Sequence, residues 1–291
     1  MAQAHVLMGA AEAAPAPLVR KIGVHDLTEA LSQGWDDFTA MPSHAIFLCV
    51  IYPVVGIVLA QLTLGYAVLP FLFPIAAGFA LIGPVAALGL YELSRRREQG
   101  LDTDAVHALD VLRSPSIGAI AGLAFLLTAI FVIWLGTADA IYVAHFGYAM
   151  PASISEFVDN VLFTPQGWSM IVIGNAIGFL FAAAALILGA ISFPLLLDRD
   201  VGAAVALMTS IRLCLANPGT MALWGLIVAV LLAAGSLPLF VGLAVVMPVL
   251  GHATWHLYRR AIDAHNSPPA EFRPPADHHR SAADFPSSLF R

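Results

Sequence analysis

Six apolar runs, none interrupted by Asp, Glu, Lys or Arg, punctuate this chain. They cover residues 43–64, 67–91, 117–134, 168–192, 219–235 and 239–258. Crossing a bilayer as a helix takes about 20 such residues. Only 11% of the chain is charged and 59% is hydrophobic, with a mean hydropathy of +0.84. A soluble domain carries about a quarter charged residues, and a core of this size has no room for so much apolar surface. The sequence therefore reads as all-α, a polytopic membrane helix bundle with six transmembrane helices.

The basic residues give the sidedness. Arg20 and Lys21 precede the first run, and Arg95, Arg96, Arg97 and Arg113 follow the second. Arg199 and Arg212 follow the fourth, and Arg259, Arg260, Arg273, Arg280 and Arg291 follow the sixth. The connections on the other side carry none. Lys and Arg stay cytoplasmic, so both termini are expected inside, in an inner membrane. Twelve Arg against one Lys suggests a GC-rich bacterial source.

The pattern repeats three times. An amphipathic stretch (24–38, 102–113, 201–215) runs into a proline (Pro42, Pro115, Pro218), then into two apolar runs that end in a charged cluster. Arg96 to Pro115 and Arg199 to Pro218 are both 19 positions. The chain therefore reads as three membrane hairpins, each preceded by a cytoplasmic amphipathic helix, in units 24–97, 102–200 and 201–260. Together they form a domain over 21–262, with disordered tails at 1–20 and 263–291.

In the first amphipathic stretch Val24, Leu27, Leu31, Trp35 and Phe38 share one helical face, opposite Asp26, Glu29, Gln33 and Asp37. That face predicts either a helix lying on the membrane or one packed on cytoplasmic loops. The second stretch has Val106, Leu109 and Leu112 as its apolar face. The third has Ala204, Leu207, Met208, Ile211 and Leu215.

Pro70, Pro74 and Pro84 predict kinks in the second run, which membrane helices tolerate. Residues 136–150 would extend the third run or break up. Beyond them Ser153-x-x-Glu156 is a capping-box start for a helix on the far membrane surface. Trp134, Tyr142, Tyr148 and Trp168 suit an aromatic belt there. Asn175, the amide well inside a run, is expected to tie two helices together, with ligand contact as the alternative. The cysteines, Cys49 and Cys214, read as small buried hydrophobes.

The run Asp26-Leu27, Ala30-Leu31, Gly34-Trp35, Asp37-Phe38, Pro42 resembles the opening of an uncharacterised family of bacterial integral membrane proteins. The stretch Gly251-His252-Ala253-Thr254-Trp255-His256-Leu257-Tyr258-Arg259 resembles that family's C-terminal end. The resemblance covers residues 24–262. It implies six spans in the bacterial inner membrane, with no assigned activity. Labels on some relatives point to respiratory oxidases, but a haem–copper core needs several intramembrane His ligands that this sequence lacks.

Little else points to chemistry. The runs hold no carboxylate or base of the kind ion-coupled carriers keep at depth. There is no phosphate-cradling Gly loop, HExxH or GxSxG. His252 and His256 stand at i and i+4, on one helical face, where they could grip one metal or approach one haem edge. His44 is the candidate third ligand. The alternative makes them part of an interfacial anchor with Trp255, Tyr258 and the two following arginines. Arg95, Arg96 and Arg97 read as a topology determinant, with anionic-lipid binding second. A net charge of −6 gives no nucleic-acid footprint.

The leading expectation is a non-enzymatic inner-membrane protein without a cofactor. It would serve assembly, scaffolding or an accessory role, with membrane lipids and another inner-membrane complex as partners. The alternatives are a transporter or channel for a neutral small solute, and a metal- or haem-binding accessory protein of a respiratory complex.

Overall fold

The computed structural model describes residues 17–41, 74–75, 83–148, 151, 153–236, 242–265 and 267–272. The first apolar run, His44, Cys49 and most of the second run lie outside them. The described chain is mostly helical, in the order β1 (Leu18–Val19), α1 (Val24–Ala40), α2 (Gly83–Ala86), α3 (Leu88–Glu98) and a 3₁₀ segment (Ala105–Arg113). There follow α4 (Ile117–Phe146), α5 (Ile154–Phe163), α6 (Pro165–Gly189), α7 (Ser192–Asp198), α8 (Gly202–Ala216), α9 (Pro218–Ser236), α10 (Leu243–Ala261) and β2 (Ile262–Asp263).

Three stretches are long and apolar enough to cross a membrane: Ile117–Phe146, Pro165–Asp198 and Pro218–Ser236. At 1.5 Å per residue the 30 residues of α4 reach about 45 Å, beyond the roughly 30 Å of hydrocarbon. Residues 136–146 thus extend the third run rather than break it, and Gly147 ends the helix at φ 71°. Ser153 caps the helix: its hydroxyl accepts the Glu156 backbone N–H, 3.1 Å away, and opens α5.

The packed core lies at the charged ends of these helices. Leu27, Tyr91, Ile191, Phe193, Leu195, Leu196, Leu197, Trp255 and Tyr258 are buried there. Away from it, α4, α6 and α9 expose Phe125, Val132, Val172, Phe179, Leu226 and Val230, as lipid-facing helices do.

Each amphipathic segment packs against helices at the charged layer. The 3₁₀ segment sits on α3, α8 sits on α6 and α7, and α1 closes onto α10. The α1–α10 contact is the most extensive, because Gly34 lets the two backbones meet. A Cβ at Gly34 would come within 2.6 Å of the Ala253 amide nitrogen and 2.7 Å of the Val249 carbonyl.

Several expectations change. In α1 the apolar face is turned inward, with Leu27, Ala30, Gly34 and Phe38 buried. This selects protein packing over the membrane surface, although Val24 and Trp35 stay exposed. The 3₁₀ segment and α8 do the opposite, burying small and polar residues and exposing much of the apolar stripe. Trp134 is not in a belt. It is buried beside Phe181, its indole N–H donates to the Pro74 carbonyl at 2.9 Å, and it fits over Gly178. The tail boundaries also move. Leu18 pairs with Asp263 and Val19 with Ile262, and residues 267–270 run along Asp198–Asp200 through backbone hydrogen bonds and a bridge. Backbone pairing, which hydropathy does not register, holds residues 18–20, 262–263 and 268–270 in the fold.

Candidate functional site

The chemistry-bearing side chains gather where α1, α3 and α10 meet. Asp37 sits near the C-terminal end of α1, on the flank that faces α10. It is 4% exposed, so its carboxylate requires partners there. Oδ2 accepts the Ser94 hydroxyl at 2.5 Å and His256 Nε2 at 2.9 Å, while Oδ1 accepts Arg97. His252 Nδ1 lies 2.6 Å from the Ser94 oxygen. Ser94 has one proton, and the ionised carboxylate takes it. His252 must then donate from Nδ1, which leaves Nε2 as a bare lone pair. That nitrogen is buried without a hydrogen-bond partner.

Burial pushes the Asp37 carboxyl up. The hydrogen bonds from His256 and Ser94 and the nearby imidazoles outweigh it, and hold the group below its ordinary 3.8.

The three consecutive arginines each hold a different carboxylate. Arg95 grips Glu92 with both arms, at 2.7 and 2.8 Å. Arg96 reaches Asp110 of the 3₁₀ segment at 3.2 Å, and Arg97 reaches Asp37 of α1. One turn of α3 thereby ties the segments before and after it. Arg95 also lies over the Phe272 ring, 4.3 Å from its centroid. These residues stand inside a network and do not form a free cationic patch.

The network continues through α10. Glu98 accepts the Trp255 indole N–H at 3.0 Å and Arg259 at 2.9 Å. Asp198 accepts the Tyr258 hydroxyl at 2.7 Å and Arg259 at 3.4 Å. Arg260 pairs with Glu29 at 3.3 Å and Asp26 at 3.7 Å, and Arg20 with Asp263 at 2.8 Å.

His252 and His256 do share a face of α10, as the spacing predicts. They converge on a carboxylate already held by Ser94 and Arg97. Among the described residues no three His, Cys, Asp or Glu side chains are grouped to hold a metal. A shallow cavity of about 290 Å³ beside the cluster is lined by Asp36, Asp37, Arg97, Glu98 and His256 among others. Asn175 faces outward and donates to the Ile171 carbonyl of its own helix at 2.8 Å, so it ties no second helix there.

Sequence reading placed Asp37 on a solvated face and passed over Ser94, Glu92 and Asp110. One signal was available. Asp37 and Asp110 each stand five positions before the proline that ends their segment, Pro42 and Pro115. Both receive an arginine from α3.

Long apolar helices with lipid-facing flanks, joined at one end by a charge-paired layer, define a helical integral membrane protein. Residues 72–198 match the model of a family described as a predicted integral membrane protein (DUF2189). No curated protein and no solved structure matches. The matched segment holds the Arg95–Arg97 turn, the 3₁₀ segment and α4 to α7. The two motifs that carried the resemblance lie outside it.

Proposed function

We propose that this chain is a non-enzymatic scaffold of the bacterial inner membrane, one that organises or assembles other membrane components. One observation carries the reading: most of the described groups that could do chemistry are engaged with one another. Asp37, Ser94, His256 and Arg97 close a network that joins the first, middle and last segments of the chain. A rigid layer of this kind supports docking rather than turnover. Six spans with both termini cytoplasmic accompany the proposal, supported by the basic residues gathering in that layer.

The test is purification from native membranes in mild detergent, with identification of what co-purifies. A reproducible membrane partner, lost when the Asp37 network is broken, is the expected result. A protein that is always recovered alone counts against the reading.

A further inference from the structure

The three amphipathic segments do not play equivalent parts. The first covers its stripe with protein. In the 3₁₀ segment, three residues per turn line up side chains at i and i+3, and Val106, Leu109 and Leu112 form one such row. They are 64%, 61% and 67% exposed. The segment buries Ala108, Asp110 and Val111 instead.

The same inversion appears in α8. Its buried face is Ala206, Thr209, Ser210, Leu213 and Cys214, whereas Met208 and Leu215 are 48% and 75% exposed. Leu112 and Leu215 each stand three positions before the proline that opens α4 or α9. Beyond those prolines the membrane helices also expose apolar side chains, Phe125 on α4 and Leu226 and Val230 on α9.

Arg212 supplies a second, independent observation. Eight other arginines among the described residues are ion-paired, and Arg212 is not. It is exposed on the same side of α8 as Met208 and Leu215. A lone cation flanked by exposed apolar side chains, six residues before a membrane helix, fits the boundary between acyl chains and anionic headgroups.

We propose that the 3₁₀ segment and α8 are twin interfacial anchors, with Val106, Leu109, Leu112, Met208 and Leu215 embedded in the bilayer surface and Arg212 among its phosphates. The α1 segment is not such an anchor. Two of the three amphipathic segments thus face lipid, and the first faces protein.

Spin labels test this in full-length protein with Cys49 and Cys214 replaced by Ala, reconstituted in vesicles of phosphatidylcholine and phosphatidylglycerol. Leu112→Cys and Leu215→Cys carry the label, Val106→Cys and Met208→Cys are a second pair should either fail to fold, and Ser32→Cys on α1 is the aqueous control. Collision with oxygen severalfold more frequent, relative to a water-soluble nickel chelate, than at position 32 is the expected result. Ready access of the nickel chelate at 112 and 215 overturns the proposal, because the stripes then face water. Protection from both reagents also overturns it, because protein then covers them.

Discussion

Asp37 is the residue on which three helices depend. Replacing it with Ala strips Ser94, His256 and Arg97 of their acceptor in a buried site. Removing one partner of a buried ion pair costs 3–5 kcal/mol. Arg97 is 40% exposed and can turn to water, so about 3 kcal/mol is the expectation for Asp37→Ala, read as a lowered Tm in detergent. Asp37→Asn keeps one acceptor and should lose less. The pH dependence follows from the depressed carboxyl. A group whose folded value lies below its unfolded 3.8 stabilises fully above that value and loses its contribution as pH falls towards the folded one. Wild type should therefore lose Tm as pH drops below about 4, and Asp37→Asn should lack that component of the slope.

At the scale of elements, Gly34 decides how α1 meets α10. A Cβ there would collide with the Ala253 backbone nitrogen and the Val249 carbonyl. Neither can move without bending α10. Overpacking costs about 1–3 kcal/mol where neighbours can adjust, and backbone adjusts least. Gly34→Val should sit at or above that range in a thermal melt and loosen the Asp37 cluster three residues away. Gly23→Ala, where nothing lies within 4 Å, should be near neutral. Helix positions were legible in the sequence because periodicity and apolar length report directly on them. What covers each stripe was not, because protein and lipid are both apolar and leave the same pattern. That is why α1 and α8, alike in sequence character, face opposite ways. Asn175 misled for a related reason: an amide in a helix can hydrogen-bond its own backbone at i−4, so its presence does not imply a partner helix.

For the whole molecule, the order of packing matters most. The 3₁₀ segment and α8 rest on the helices just before them, and α1 rests on α10, so the described chain closes on itself. The repeat of clusters and prolines marks the three amphipathic segments, but nothing in that repeat shows which helix each one meets. Closure is reinforced by short backbone pairings that composition cannot reveal, since residues 18–19 and 262–263 look like tail. They join the two ends of the ring, with Arg20 held by Asp263 at 2.8 Å. Residues 267–272 then brace α7 and α3, through the Asp200 N–H to the Pro268 carbonyl, the Ala270 N–H to the Asp198 carbonyl, and Arg95 over Phe272. Truncation after 261 removes all of these at once. Truncation after 272 removes none. The two truncated forms differ by eleven residues of low hydropathy, so insertion into the membrane should be equal for both. The shorter one should melt lower by several degrees and should expose Cys214, now buried, to a water-soluble maleimide. Equal Tm and equal Cys214 labelling would show that the ring holds without its terminal clasp, and that α1 on α10 alone closes it.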